Sequence, residues 1–276
     1  MAIRSNLLAE GVEDIISSVL SSTADEILVA NPTAEVIEGL VTVATGFDDG
    51  DHPTIHLVAD EAVLKDVMDD FIVASNAADL IADGTLSLRT ARDDVENTLF
   101  VTPNSVVALV GAGGKVAGLV TDDEEFVKTA FEAHHERWAD APEFKLRTPP
   151  LSRVRETLAE NIDEDTLDDF DAVLNSLSSA RGDGDGLDEV TISLLVAARN
   201  NVLLYDISKW GEDVGIASKA TFSRTKTKLE DTGLIDTEKV PIDVGRPRLR
   251  LKLGNDRLVD ASSDELADIA QELLEA

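Results

Sequence analysis

The hydrophobic pattern changes near residue 145, and this change divides the chain into two parts that must fold differently. Before it, short apolar runs typical of buried strands alternate with segments of helical spacing. After it, the pattern is helical until a final pair of alternating, strand-like runs. Between them, residues 141–150 (APEFKLRTPP) contain three prolines and no helical period, which is typical of a linker. We therefore expect an α/β domain over residues 1–145.

The first part predicts a mixed sheet. Six short apolar runs are predicted strands: 26–30, 54–59, 85–90, 97–102, 105–111 and 115–121. A helix is predicted at 7–19, a second begins near Pro32, and a third has Asp60 as its N-cap and reaches Phe71. An acidic helix at about 122–139 ends the domain. This order is a βαβα unit followed by an antiparallel meander.

The charge of the chain indicates a salty environment. There are 55 acidic and 24 basic residues, and the formal net charge is -31. The acidic residues are spread over well-patterned helices, which argues against a disordered acidic block. Such self-repulsion destabilises a compact chain in dilute salt, whereas multimolar salt shortens the Debye length to roughly 3 Å or less. We therefore expect a halophilic protein.

Other features of the composition restrict where the protein can be located and which kinds of site it can contain. Cysteine is absent, so disulfides and thiolate metal sites are excluded. The first 20 residues include acids and lack the apolar core of a signal peptide, and no 18-residue apolar run is present. We expect a soluble cytoplasmic protein with no membrane partner.

The C-terminal part predicts a winged helix-turn-helix domain over residues 187–276. Two amphipathic helices are followed by a basic helix, which Ser218 caps and Gly233 ends as the C′ residue. Two alternating strands, joined near Gly245, then form a predicted hairpin. Helix, helix, basic helix and hairpin is the order of a winged helix-turn-helix, an α+β domain. Residues 146–186 are expected to form a linker with helices.

Positive charge is concentrated in this predicted domain. Between residues 215 and 253 there are nine basic and five acidic residues, a local balance of +4 inside a chain of net charge -31. The simplest reason to keep a basic patch on such a chain is a polyanionic partner. Lys and Arg contacts to phosphates supply non-specific affinity for double-stranded DNA, and the helix that enters the major groove reads the sequence.

Ten residues are candidates for contact with DNA. Seven lie on or beside the basic helix, and three lie on the hairpin: Ser218, Lys219, Thr221, Ser223, Arg224, Thr227, Lys228, Arg246, Arg248 and Arg250. The alternative for Arg224 and Lys228 is pairing with Glu230 or Asp231 along the helix. The alternative for the whole domain is that its winged helix binds other proteins as an adaptor.

Three segments carry a resemblance to a known family: MAIRSNLLAEGVEDIISSVLSS, VTPNSVVALVGAGGKVAGLVTDD and SKATFSRTKTKLEDTGLIDTEKVPIDVGRPRLRL. With these segments, the chain resembles haloarchaeal transcription regulators of the TbsP type over essentially its whole length. The resemblance implies a winged-helix regulator that acts with or alongside sugar-responsive regulators of the TrmB kind in central carbon metabolism. It also implies a phospholipase-D-like effector domain in the N-terminal half. The catalytic His-x-Lys pattern of true phospholipase D enzymes is missing, since none of the four histidines has a lysine two residues later.

The N-terminal domain has three candidate residues for an effector site. Open α/β sheets bind ligands at the carboxyl ends of their strands, where Asn31, Asp60 and Arg89 lie. The alternative for each is a turn or helix cap. GAGGK at 111–115 lacks the spacing of a Walker A loop and fits a hairpin turn better.

No catalytic residue, metal site or cofactor is predicted. A metal pair from His52 and His56, or from His134 and His135, is a weaker interpretation than ordinary structural histidines. The alternating Asp and Gly of residues 181–186 fit a loop better than a calcium site. Three function classes remain: a DNA-binding regulator, a protein-interaction adaptor, and an α/β enzyme for which no catalytic constellation is found.

The expected regulator is a homodimer, because two half-sites multiply affinity. The terminal apolar stretch around Leu266 and Leu273 could pack on its own domain or on a partner chain.

Overall fold

A computed structural model of the protein describes residues 7–23, 25–47, 53–91, 97–181, 187–241 and 247–275. The chain divides into two compact units. The N-terminal unit contains Met1–Asp69 and Asn76–Leu146, and the C-terminal unit contains Asp70–Ser75 and Arg147–Ala276.

The N-terminal unit is built on a mixed sheet, as its sequence predicts, and the sheet has seven strands where the sequence predicts six. In chain order the strands are β1 (Leu7–Ala9), β2 (Glu26–Ala30), β3 (Thr54–Ala59), β4 (Leu86–Thr90), β5 (Leu99–Val101), β6 (Val106–Ala112) and β7 (Lys115–Thr121). Their order across the sheet is β1-β7-β6-β5-β2-β3-β4. Strands β2, β3 and β4 are parallel, and every other neighbouring pair is antiparallel. Gly113 and Gly114, both with positive φ, turn β6 into β7, so the predicted hairpin turn at GAGGK is confirmed.

Helices cover the sheet unequally. They are α1 (Val12–Ser22), α2 (Ala34–Thr45), α3 (Glu61–Val67), α4 (Phe71–Ala82) and α5 (Glu124–Asp140). On one face, Val127 of α5 packs with Leu28, Val101 and Val106 of β2, β5 and β6. On the opposite face, Val12 of α1 lies beside Leu109, which points away from α5.

The N-terminal unit differs from the sequence prediction in three places. The first helix begins at Val12, because Leu7–Ala9 pair with β7 as an edge strand. The helix predicted to reach Phe71 ends at Val67. The carboxylate of Asp70 then accepts the N–H of Ile72 and starts α4, which the sequence analysis did not predict.

The predicted linker forms part of the sheet edge. The N–H of Thr90 donates to the carbonyl of Pro142, and the N–H of Phe144 donates to the carbonyl of Leu88. These two bonds cover the outer edge of β4 and satisfy backbone groups that an edge strand leaves unpaired.

His56 of β3 lies in a half-buried cluster between the sheet and α5. Its Nδ1 is 2.9 Å from Oγ of Ser87, and its Nε2 is 3.3 Å from a carboxylate oxygen of Glu26. The ring lies 4.0 Å from that of Trp138. Burial lowers the pKa of His56, although Glu26 opposes this shift. Ser87, Glu26 and Trp138 thus surround His56. His52, its partner in the weaker metal-pair interpretation, lies outside the described residues.

The described residues of the C-terminal unit pack around one apolar core. Its helices and strands are α6 (Leu151–Asn161), α7 (Glu164–Ser176), α8 (Glu189–Arg199), α9 (Leu204–Val214), α10 (Lys219–Asp231), β8 (Ile235–Val240), β9 (Arg248–Leu253), α11 (Asp256–Asp260) and α12 (Leu266–Glu275). Helix α8 is buried from Val190 to Ala198 and lies at the centre of the unit. Strands β8 and β9 form the antiparallel wing.

The helices of residues 151–176 belong to this core. Nε1 of Trp210 in α9 donates to Oγ1 of Thr157 in α6 at 3.0 Å, and Phe170 of α7 is buried in the core. From sequence, these helices are expected in a separate segment, 146–186. The terminal apolar stretch is expected to pack either on its own domain or on a partner chain, and Leu266 of α12 is buried in the core of its own unit.

The described residues include no helix that is long and apolar enough to cross a membrane. They also include no group of three or more His, Asp or Glu side chains arranged to hold a metal ion. The loop of alternating Asp and Gly at 182–186 lies outside the described residues.

Candidate nucleic-acid interface

Close contact between α9 and α10 fixes the angle between these two helices of the helix-turn-helix. Gly215 has φ 99°, a left-handed conformation that favours glycine, and the N–H of Ile216 donates to the carbonyl of Gly211. The ring of Phe222 in α10 lies against the backbone of Gly211 in α9. Phe222 and Leu229 are both buried, so they orient the rest of α10 outward.

The outward face of α10 presents Ser223, Arg224, Thr227 and Lys228. All four are exposed, and their spacing places them on one side of a helix. Oγ of Ser218 accepts the N–H of Thr221, so the predicted N-cap is confirmed, and Gly233 follows the helix with φ 75°. The described residues contain no carboxylate that pairs with Arg224 or Lys228. Their alternative pairing with Glu230 or Asp231 is thus absent from this structure.

Three other predicted contact residues have roles within the protein. Nζ of Lys219 is 2.8 Å from a carboxylate oxygen of Glu212 in α9, and this contact raises the pKa of Lys219 and lowers that of Glu212. The hydroxyls of Ser218 and Thr221 lie 3.0 Å apart at the start of α10. These residues hold the start of the helix in place.

An ion pair within α10 is linked to the wing by a hydrogen bond. Lys226 donates to Glu230, which also accepts the hydroxyl of Thr237 in β8 at 2.7 Å. Although burial opposes it, these two hydrogen bonds lower the pKa of Glu230. Lys226 is therefore a structural cation on the inner side of α10.

The wing arginines pack along the start of α9. The guanidinium of Arg248 lies 3.8 Å from the ring centre of Tyr205, and its Nη1 is 3.6 Å from an oxygen of Asp206. Arg250 pairs through its backbone with Glu238 on one side and Leu203 on the other, and its buried Nε makes no hydrogen bond to the described residues. Arg246, the predicted contact at the wing tip, lies outside the described residues.

The positive charge of this domain is thus partly neutralised by its own carboxylates. Of the eight described cations between residues 215 and 253, four form ion pairs: Lys219, Lys226, Arg248 and Lys252. The four that pair with no described carboxylate are Arg224, Lys228, Lys239 and Arg250. The basic surface proposed from sequence is therefore smaller than the count of basic residues indicates, and it centres on α10 and the wing.

Three further residues of this surface are not among the contacts predicted from sequence. Ala220 is exposed one turn before Arg224, and the helical period could have identified it. Lys239 is exposed on β8 and was counted only as charge. Tyr205 is 47% exposed beneath Arg248, and no sequence signal shows this contact because it joins α9 to β9.

The three predicted effector residues do not line one site. Asn31, in a left-handed conformation, lines a cleft of about 700 Å³ at the carboxyl end of β2. Asp60 caps α3 through the N–H of Ala62 and lines a second cleft of about 340 Å³. Arg89 donates to the carbonyls of Trp138, Ala139 and Ala141 at the end of α5, where a cation is favourable. Asn31 and Asp60 thus border different clefts, while the side chain of Arg89 caps a helix.

Two family descriptions match the chain and together cover almost all of it. Residues 150–271 match "Transcriptional regulator TbsP-like, C-terminal HTH domain", and residues 4–149 match "Transcriptional regulator TbsP-like, N-terminal". No curated protein sequence matches.

Two solved structures show distant similarity. One is TrmBL2, an archaeal chromatin protein that binds DNA, with 14% identity, a TM-score of 0.35, and coverage of 52% of this chain and 56% of TrmBL2. The chain thus spans just over half the length of TrmBL2. The other is Nuc, a phospholipase D family member from Salmonella typhimurium, with 16% identity, a TM-score of 0.34, and coverage of 50% of this chain and 97% of Nuc.

Proposed function

Because the chain belongs to the TbsP-like transcriptional regulators, we propose that it regulates transcription by binding specific sequences in double-stranded DNA. The proposed regulator is a halophilic, haloarchaeal homodimer of the cytoplasm without enzymatic activity. Its proposed targets are genes of central carbon or sugar metabolism.

One observation carries the proposal for DNA. Helix α10 presents Ser223, Arg224, Thr227 and Lys228 on one exposed face, and no described carboxylate neutralises the two cations. A helix of this kind fits the major groove, where Arg and Lys read guanine and hydroxyls donate to or accept from base edges. In a chain of net charge -31, a polyanion is the partner that such a face fits best.

The wing supplies the second contact in this proposal. Tyr205 and Asp206 hold Arg248 in one place, and Arg250 lies two residues along on the same face of β9. Fixed cations lose less conformational entropy on binding than mobile ones. We assign Arg248, Arg250 and Lys239 to the phosphate backbone, together with Arg246 from the segment outside the described residues.

A salt titration tests the proposal. We expect the full chain to bind a pool of random-sequence duplexes with an affinity that falls linearly as the logarithm of salt concentration rises. Sequencing of the retained duplexes should reveal an enriched motif. Because each neutralised phosphate contributes a slope of about -0.9, the four cations assigned to phosphates predict a slope of about -3 to -4. Retention of no duplex by the folded chain would contradict the proposal and favour a protein-interaction adaptor.

We further propose that the cleft beside Asn31 binds a small effector. Its lining combines the polar side chains of Thr33, Asn97 and Thr98 with apolar ones such as Val63 and Val116. The described residues that line it include Glu35 and Asp66 but no Lys or Arg. This composition disfavours a phosphorylated ligand and fits an uncharged, hydroxyl-rich one such as a sugar.

The melting temperature of the protein tests this assignment. A neutral sugar should raise it, since a ligand that binds only the folded state stabilises that state, whereas its phosphate monoester should have no effect. Val63→Trp, which fills the cleft, should abolish the shift, and Val259→Trp on the exposed surface of α11 should not. A larger shift with the phosphate ester, or a shift that persists in Val63→Trp, would refute this ligand class.

A further inference from the structure

The start of α10 presents one apolar side chain among polar neighbours that are engaged within the protein. The hydroxyls of Ser218 and Thr221 lie 3.0 Å apart, and Lys219 is held by Glu212 of α9. Ala220 lies between these residues in the chain and is exposed. The first turn of the helix therefore offers a methyl group on its outer side.

The side chain of Arg224 points back towards this methyl group. Its Nε donates to the carbonyl oxygen of Ala220 at 3.4 Å, and its Nη2 donates to Oγ1 of Thr221 at 3.5 Å. These contacts place the guanidinium one turn closer to the start of α10, beside Ala220. Both hydrogen bonds are long and therefore weak, so the guanidinium can exchange them for better acceptors at little cost.

A methyl group and a guanidinium that lie side by side match two adjacent base pairs. Successive bases of a strand are spaced about 3.4 Å along the duplex axis, so neighbouring groups on one helix meet neighbouring bases. In the major groove, thymine presents a methyl group and guanine presents the acceptors O6 and N7, which one guanidinium can bind together. The N-terminal residues of a recognition helix are the ones that reach base edges.

We infer that the start of α10 recognises a thymine next to a guanine. In this arrangement the methyl group of Ala220 packs against the methyl group of the thymine, and Arg224 donates to O6 and N7 of the guanine. The inference rests on the proposed function, because it names the bases that the same face of α10 contacts. Ala220 is then a specificity-determining residue, although its side chain has no charge and no hydrogen-bonding group.

Salt affects the phosphate contacts and the methyl contact differently. With a slope of about -3 to -4, each tenfold rise in salt concentration lowers the affinity from phosphate contacts about 10³- to 10⁴-fold. Salt does not screen the contact between two methyl groups, because neither carries a charge. In the salty environment proposed for a chain of net charge -31, the methyl contact should therefore keep its full contribution to specificity.

Deoxyuridine tests the thymine contact, because it differs from thymidine only by the missing methyl group. In the duplex selected from the random pool, deoxyuridine in place of the thymine next to the selected guanine should weaken binding of the full chain about fourfold. This factor corresponds to about 0.8 kcal/mol for one buried carbon. It should not decrease as the salt concentration rises. Deoxyuridine at a thymine outside the motif is the control and should leave the affinity unchanged.

Ala220→Gly removes the methyl group on the side of the protein. The variant should bind the thymine duplex about fourfold more weakly than wild type does, and it should no longer distinguish thymine from deoxyuridine, because the contact is already lost. Ala133→Gly is the matched control, since Ala133 is an exposed alanine of α5, and it should keep the wild-type ratio. The deoxyuridine measurement on wild type does not depend on the stability of either variant.

Arg224→Gln tests the guanine contact. Glutamine matches adenine in the major groove, so the variant should lower the preference for guanine over adenine at this position at least fivefold. An enriched motif without adjacent thymine and guanine, an unaffected deoxyuridine duplex, a wild-type thymine ratio in Ala220→Gly, or an unchanged guanine preference in Arg224→Gln would overturn the inference. In each of these outcomes the protein still binds DNA, so the proposed function stands. Retention of no duplex at all would overturn both.

Discussion

Replacing Arg224 and Lys228 together with glutamate is expected to weaken binding to duplex DNA at least 100-fold. Both side chains lie on the exposed face of α10, and no described carboxylate pairs with either. Loss of a base contact costs about 1–3 kcal/mol of binding free energy, and loss of a phosphate contact lowers the slope of the salt dependence by about 1. The fold-changes in affinity from two such losses multiply. The reversed charges add repulsion from phosphates. Fluorescence anisotropy with the duplex selected from the random pool measures this loss.

The control for this variant must carry the same change in net charge. Lys65→Glu with Lys128→Glu does so, because both lysines are exposed on helices of the N-terminal unit. We expect the control to bind DNA within a few-fold of wild type, since long-range effects of exposed charge are screened by salt. Equal loss in both variants would mean that net charge, and not the face of α10, governs binding.

Substituting Gly211 with alanine is expected to destabilise the C-terminal unit by about 1–3 kcal/mol, the range for overpacked cores. Helix propensity alone predicts the opposite sign, since alanine stabilises a helix interior by about 1 kcal/mol relative to glycine. A Cβ at Gly211 would lie 2.3 Å from Cζ of Phe222. The ring cannot move away freely because it is completely buried between α9 and the core. Chemical denaturation followed by circular dichroism measures the change.

A double-mutant cycle identifies the cause. Phe222→Leu shortens the side chain that Gly211→Ala meets, so the double variant should lose less stability than the two single losses combined. Gly111→Ala is the matched control, because no atom lies within 4 Å of a Cβ at that position and its φ is not positive. If Gly211→Ala stabilises the protein as propensity predicts, the described packing of α9 on α10 is wrong.

The local pattern of the sequence was sufficient to predict most of the helices and strands. Alternating apolar runs identified the strands, and the Ser218 cap and Gly233 stop located the basic helix, because both signals depend only on neighbours in the chain. The local pattern failed where a short apolar segment fits both a helix and a strand. Leu7–Ala9 has the spacing of a helix start and forms a strand because β7 offers hydrogen-bond partners.

The sequence by itself determined that a mixed α/β unit precedes a winged helix-turn-helix and that positive charge concentrates in the second. Only the tertiary structure decided which cations face outward. Lys219 and Lys226 meet Glu212 and Glu230, while Arg224 and Lys228 do not meet any described carboxylate. The physical reason is that these contacts join residues that are distant along the chain and meet only after folding. An ion pair between α9 and α10 is one example, and the covering of only half of a sheet face by a helix is another. Charge counts and periodicity contain no information about such contacts.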